Sequence, residues 1–226
     1  MFAAHRMLFS RPPAVVGPPL ATYITSVADT ADATGYTFTG QSLGTAAADR
    51  EVVVAVQSRT GGTSITVSSL TVGGISATLE VRTANTASGY TLIEIWRAPV
   101  PTGTTGDVVV NFTGGTALRC AIDIYKLTGR SSTFATSSTG ASNGGTLSLN
   151  VAANGAVIAA AASASATSAF TWTGVTERYD AATGGEAFRT STASADGLTA
   201  ATPRTVSFPN PGGSSTSYGG AAVSYA

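Results

Sequence analysis

From residue 20 onward, the 226-residue chain is a succession of short segments rich in Val, Ile, Thr and aromatic residues, separated by Gly, Ser and Asn. Such side chains favour a pleated, half-buried surface, and the 26 glycines mark turns between the segments. Alternation is clear in 90–97, where Ile93 and Ile95 share one face and Glu94 and Trp96 share the other. The sequence therefore predicts an all-β protein.

The strands are predicted from runs of these residues bounded by turn residues. In the first part of the chain they are Leu20–Val27, Tyr36–Phe38, Glu51–Ser58, Ser64–Val72, Ala77–Thr83, Tyr90–Ala98, Asp107–Thr113 and Leu118–Leu127. In the second part they are Thr146–Val151, Ala156–Ala162, Phe170–Arg178, Glu186–Ala193, Arg204–Pro209 and Gly219–Tyr225.

The two sets of strands repeat one pattern at a distance of about 100 residues. The matching segments are Glu51–Val56 with Gly155–Ala160, Asp107–Phe112 with Pro203–Phe208, and Ala121–Tyr125 with Ala221–Tyr225. A sheet with one apolar face has to cover it, and a second similar sheet can do so. We expect one antiparallel, jelly-roll-like β-sandwich over residues 21–226, built from similar halves at about 21–130 and 140–226. Each half would supply about one sheet, and the halves would be intermingled or stacked.

Composition excludes several functional classes. The 12 basic and 12 acidic residues balance, so the chain lacks the basic excess of a nucleic-acid or anionic-membrane binder. No run of 18 apolar residues is present that could span a bilayer. One histidine, His5, and one cysteine, Cys120, provide no disulfide framework or thiolate metal site. Cys120 alternates in phase with Ile122 and Ile124 and is predicted to be a buried apolar residue, and no metal or cofactor is expected.

Residues 1–20 differ from the rest of the chain. Their prolines fix φ and remove backbone donors, which predicts an extended arm. Arginines interrupt the apolar residues, so the segment does not have the pattern of a secretory signal peptide. The arm is either a loose terminus or an anchor on a partner, and we favour the anchor because its apolar residues cannot be buried within an isolated arm. The predicted docking residues are Met7, Leu8, Phe9, Arg11, Pro12 and Pro13.

The order of these segments resembles a known class of sandwich. "REVVVAV", "YTLIEIWRAPV", "VVVNFTGG" and "CAIDIYKLTG" are followed by "GAVIAAAASASA", "FTWTGVTERYDA", "GGEAFRTSTA" and "RTVSFPNPGG…YGGAAVSYA". Together they are similar to jelly-roll-like domains of virion proteins from tailed bacteriophages and phage-like particles, and of some bacterial surface proteins. The resemblance covers about residues 22–226. It implies a structural, surface-displayed or receptor-facing role and transfers no function to any particular residue.

Motifs for catalysis are weak. The segment 140–144 matches G-x-S-x-G, but Ser142 has no following helix and no downstream histidine, so it is predicted to be a loop. The acidic residues are predicted to be turn caps and solvated charges rather than a catalytic pair or a calcium site. They are Asp29, Asp32, Asp49, Glu51, Asp180 and Glu186. We therefore expect no enzymatic activity.

The leading hypothesis is a structural virion protein displayed on a capsid or tail as a decoration, collar, spike or fibre component. Its partners would be other virion proteins, with the chain present in several copies or as a homo-oligomer, assembled in the bacterial cytoplasm. The alternative is an adhesin module that binds a cell-surface glycan or receptor. Trp96 and Trp172 are the candidate sugar-stacking residues in that case, although packing in the core is the favoured interpretation of both.

Overall fold

The structure is a computed structural model, and it describes residues 17–84, 91–139, 145–166, 168–184, 188–212 and 217–226. These residues form antiparallel strands joined by turns. None of them belongs to a helix that is long and apolar enough to cross a membrane. The strands are β1 (Leu20–Asp29), β2 (Gly35–Ser42), β3 (Glu51–Thr60), β4 (Thr66–Val72), β5 (Ile75–Ser76), β6 (Thr78–Ala84), β7 (Thr91–Pro99), β8 (Thr105–Thr113), β9 (Ala117–Thr128), β10 (Thr133–Thr139), β11 (Thr146–Val151), β12 (Gly155–Ser163), β13 (Thr176–Ala182), β14 (Arg189–Leu198), β15 (Ala201–Ser207) and β16 (Tyr218–Tyr225).

The first half of the chain folds into two sheets. Its inner sheet has the strand order β1-β9-β3-β7-β6, and its outer sheet has the order β2-β8-β4-β5. The chain crosses between the sheets in the manner of a jelly roll, with β6 as an additional edge strand. Alternation places Val108, Val110 and Phe112 of β8 in the core between the sheets, while Asp107 and Asn111 face solvent.

The second half repeats this arrangement. Its inner sheet has the order β10-β16-β12-β14-β13, which equals the order of the first inner sheet when β10 is matched with β1 and β16 with β9. Its outer sheet contains β11 and β15, the counterparts of β2 and β8. A bridge between Thr173 and Ser207 lies where β4 pairs with β8 in the first half. The prediction of two similar halves is therefore confirmed.

The two inner sheets pack face to face, so the molecule is a stack of four layers with three hydrophobic cores. The central strands of the inner sheets are buried on both faces, which explains why β3 and β12 are almost continuous apolar runs. Small residues are required in these layers. A Cβ on Gly220 of β16, for example, would lie 2.3 Å from Cζ of Phe208. The all-β antiparallel sandwich fold expected from the sequence is confirmed. Each half supplies two sheets rather than the expected one, and the halves are stacked.

The predicted correspondence of β3 with β12 needs a correction of one residue. Glu51 was matched with Gly155, but the pairing partners show that Val53 is equivalent to Ala156, because each lies opposite a tyrosine of the neighbouring strand. Those tyrosines, Tyr125 and Tyr225, occupy the core between the inner sheets. A shift of one residue exchanges the two faces of a strand, and runs that are apolar on both faces do not reveal it.

Two strand predictions were also wrong. The predicted strand Phe170–Arg178 is observed as β13, Thr176–Ala182, because Phe170 and Trp172 enter the core from a loop outside the ladder. The N–H of Phe170 donates instead to Oδ2 of Asp180 at 2.6 Å. Strand β10 was not predicted, since Thr133–Thr139 is a polar edge strand with half-buried residues on one face only. Strand β10 lies between the predicted bounds of the two halves, and in the structure it is the first strand of the second half.

A polar cleft between the halves as candidate functional site

The predicted docking residues lie in the N-terminal arm. Met7, Leu8, Phe9, Arg11, Pro12 and Pro13 are outside the described residues, as are His5, Ser142 and Glu186. The described chain begins at Gly17, immediately before β1. The anchor hypothesis for the arm therefore stays a prediction.

Both tryptophans are packing residues in this structure. Trp96 is 7% exposed and lies between the sheets of the first half, where its Nε1 donates to Oε2 of Glu94 at 2.6 Å. Trp172 is 9% exposed, donates to Oγ of Ser191 at 2.8 Å, and has its ring 5.2 Å from that of Phe208. Neither ring offers an open face for a sugar, so these two positions do not support the glycan alternative.

Cys120 is fully buried in the core of the first half, as its alternation with Ile122 and Ile124 predicts. Burial also raises the pKa of its thiol, which disfavours the reactive thiolate form. The packing interpretation of the cysteine is confirmed.

Four of the acidic residues singled out in the sequence, Asp29, Asp49, Glu51 and Asp180, have structural partners. Asp29 accepts the N–H of Ala31 within a turn, and Asp49 accepts the N–H of Gly129. Asp180 is paired with Arg189. Among the residues that the structure describes, no three His, Cys, Asp or Glu side chains are grouped so that they could hold a metal ion.

The stacking of the halves creates two equivalent lateral edges. At one edge β1 of the first half lies beside β14 of the second, and at the other β10 of the second half lies beside β6 of the first. Strand β1 corresponds to β10, and strands β13 and β14 correspond to β6 and β7. Each edge therefore brings together equivalent strands, and the two edges are related by the internal repeat. Differences between the two edges therefore show where equivalent positions of the two halves carry different side chains.

The β10 edge contains a network of ion pairs. Arg97 of β7 pairs with Glu51 and, at 2.5 Å, with Glu80. Arg130 also pairs with Glu51, whose hydrogen bonds raise the pKa of this arginine. Thr133 of β10 donates to Oε2 of Glu80 at 2.7 Å, which joins the charged side chains of the first half to the second half at this edge.

The β1 edge instead contains an open cleft of about 510 Å³. Its lining residues come from β1, β13 and β14 and are Leu20, Ala21, Thr22, Tyr23, Glu177, Arg178 and Asp196. Oδ1 of Asp196 accepts the N–H of Ala21 at 2.7 Å, which ties the edge of β1 to the second half. Arg178 lies in a β-bulge between Glu177 and Tyr179, and its Nε donates to Oγ of Ser194 at 2.9 Å.

Behind the cleft, a buried polar chain runs between the inner sheets. The hydroxyl groups of Tyr23 and Ser26 are 2.8 Å apart, and Ser26 donates to the carboxylate of Asp123. Burial raises the pKa of Asp123 to about 7, although hydrogen bonds from Ser26 and Gln57 oppose the rise. Burial also raises the pKa of Asp196 and Glu177 on the cleft wall. The site thus combines carboxyl groups, a guanidinium and hydroxyl groups around one solvent-filled space.

Sequence reasoning missed this cleft, because no motif marks its residues. They come from β1 and from the consecutive strands β13 and β14 near the other end of the chain, and only the packing of the halves brings Ala21 next to Asp196. The difference between the β1 edge and the β10 edge could be recognised only after the structure had shown which strands are equivalent.

Comparison of the chain with protein-family models, with curated proteins and with solved structures finds no match.

Proposed function

We propose that this protein is a non-enzymatic structural component of a tailed-phage virion or a phage-like particle, displayed on the capsid or tail and docked through its N-terminal arm. The observation that carries the proposal is the position of the arm base, 17–19, on the folded body. The base of the arm, the linker between the halves and the C-terminal residue meet in one groove. That groove is lined by Gly17, Pro18, Pro19, Gly129, Ser131, Ala153, Asn154 and Ala226.

Contacts in this groove hold the arm base in place. The carbonyl of Ala226 accepts the N–H of Ser131 at 2.6 Å, which closes the linker onto the C-terminus. Gly129 has φ +71°, and a Cβ at this position would lie 2.3 Å from the carbonyl oxygen of Pro18. A glycine is thus required where the arm base passes the linker. These contacts support a fixed point from which the arm can extend to a partner.

The body suits a displayed part because it covers its own apolar faces. Both inner sheets are buried against each other, and the exposed large apolar side chains among the described residues are isolated: Leu20, Ile75 and Phe134. An arm that buries Met7, Leu8 and Phe9 on a partner, and adds backbone hydrogen bonds to a sheet edge, would supply the affinity. Repetition on a symmetric shell would multiply such contacts through avidity.

The experiment is deletion of residues 1–16, which precede the arm base and β1. We expect a folded body with unchanged thermal unfolding, because every described strand remains, and loss of incorporation into particles by at least tenfold. A more specific variant replaces Met7, Leu8 and Phe9 with serine. The matched control replaces Ala3 and Ala4, in the same arm, with serine. Normal incorporation of the deletion variant would refute docking through the arm.

A further inference from the structure

We propose that the cleft at the β1 edge, between Tyr23 of the first half and Arg178 and Asp196 of the second, is a binding site for a neutral saccharide. A saccharide site would serve recognition of a ligand rather than assembly of a particle, and it does not depend on docking of the N-terminal arm. The proposal rests on the difference between two equivalent edges of the molecule and on the chemistry of the cleft walls.

The charged groups are arranged differently at the two equivalent edges of the molecule. At the equivalent β10 edge, Arg97 pairs with Glu51 and Glu80, and Arg130 pairs with Glu51, so the charged groups of the first half are bound to one another. On strand β14, the counterpart of β7, the side chain facing the other half is Asp196, which is bonded to a backbone N–H. At the β1 edge, Asp196 binds the N–H of Ala21 and Arg178 binds Ser194, and both side chains line the cleft.

The cleft walls present donors and acceptors together. Asp196 and Glu177 supply carboxylate acceptors, while Arg178 and the hydroxyl group of Thr22 supply donors. Ser194 fixes the Arg178 guanidinium through Nε, and the β-bulge turns this residue out of the normal strand alternation. Leu20 and the Tyr23 ring add apolar surface. Vicinal hydroxyl groups of a sugar can both donate to carboxylates and accept from a guanidinium.

Charge and size narrow the ligand class. Two carboxylates against one guanidinium give the lining a formal charge of −1, which disfavours phosphate, sulfate and other anionic ligands. The described residues offer no cluster of three metal-binding side chains, which disfavours a bound metal ion. A volume of about 510 Å³ is within the range of small-molecule sites, roughly 300–1,000 Å³. A short neutral oligosaccharide satisfies all three conditions.

The test uses the full chain on an array of neutral hexose and N-acetylhexosamine oligosaccharides, with sulfated and sialylated glycans and a basic peptide printed beside them. The strongest neutral ligand is then titrated by calorimetry against the wild type and three variants. We expect Arg178→Ala to weaken binding at least tenfold and Glu177→Gln to weaken it about threefold, because a neutral acceptor forms a weaker hydrogen bond than a carboxylate.

The matched control is Arg204→Ala, which removes a half-buried arginine on β15, in the outer sheet of the second half. It should bind within twofold of the wild type, and thermal unfolding should show that all variants are folded. Binding of neutral glycans that survives Arg178→Ala, exclusive binding of sulfated glycans or of the basic peptide, or no neutral ligand on the array would each overturn the proposal.

Discussion

Buried polar residues at the junction of the halves show how single side chains define this fold. Asp123 of β9 faces the second half rather than the core of its own half, and Tyr125, two residues on, bonds Oγ1 of Thr192 at 2.6 Å. Hydrogen-bonded groups of this kind are tolerated in an interior only with matched partners. They fix the relative position of two faces that are otherwise lined by small apolar residues.

Asp123 gives a prediction about pH. Its pKa is about 7 in the folded protein and 3.8 for an ordinary carboxyl group, so the folded state retains a proton that the unfolded state loses. Stability should therefore fall as pH rises from about 4 to 7, by roughly 4 kcal/mol at most from this group. Replacing Asp123 with asparagine should remove that part of the slope, measured by denaturant unfolding at several pH values.

Asp32→Asn, at an exposed turn, is the matched control for the pH measurement. Other acidic groups with raised pKa, such as Asp180 and Asp196, contribute in the same direction in both proteins. The difference between the two variants therefore isolates Asp123. An unchanged slope in Asp123→Asn would show that Asp123 is ionised in the folded state.

Strands with one apolar face could be predicted from the sequence, and strands without one could not. The alternation of β8 and β11 gives their position and the face that they bury. Strand β10 carries mostly Ser and Thr and exists because it pairs with β16 at a sheet edge, a tertiary cause that leaves little local pattern. For the same reason the register of β3 and β12 was off by one residue, since both faces of these strands are apolar.

Within the first half, one buried carboxylate joins the two sheets. Glu94 of the inner sheet is fully buried and accepts the N–H of Val67 in the outer sheet at 3.0 Å. It also accepts from Arg82 at 2.6 Å and from Trp96. A single side chain thus satisfies a backbone donor and two side-chain donors.

Replacing Glu94 with alanine should lower the free energy of unfolding by about 3–5 kcal/mol, because Arg82, Trp96 and the Val67 N–H all lose their partner. Denaturant unfolding measures the change. Glu177→Ala, at an exposed glutamate on β13, is the control and should stay within about 0.5 kcal/mol of the wild type. A similarly small change for Glu94→Ala would mean that this carboxylate does not join the sheets.

At the scale of the whole molecule, two jelly rolls share one interior. Each half covers only one face of its inner sheet with its own outer sheet, and the other half covers the second face. The repeat was visible in the sequence, but the pairing of the two edges and the cleft between them were not. Those features follow from how the halves stack, and they involve residues such as Tyr23 and Asp196 that no local motif distinguishes.

The most direct test of the proposed virion role is the copy number of this protein in purified particles. Quantitative mass spectrometry of particles from the producing culture, relative to the major capsid protein, gives that number. A structural component should be present at a constant ratio that matches a symmetry position of the shell or tail, and the ratio would distinguish decoration from a tail or fibre part. Absence from particles, with the chain found on cells or in the medium, would contradict the virion role.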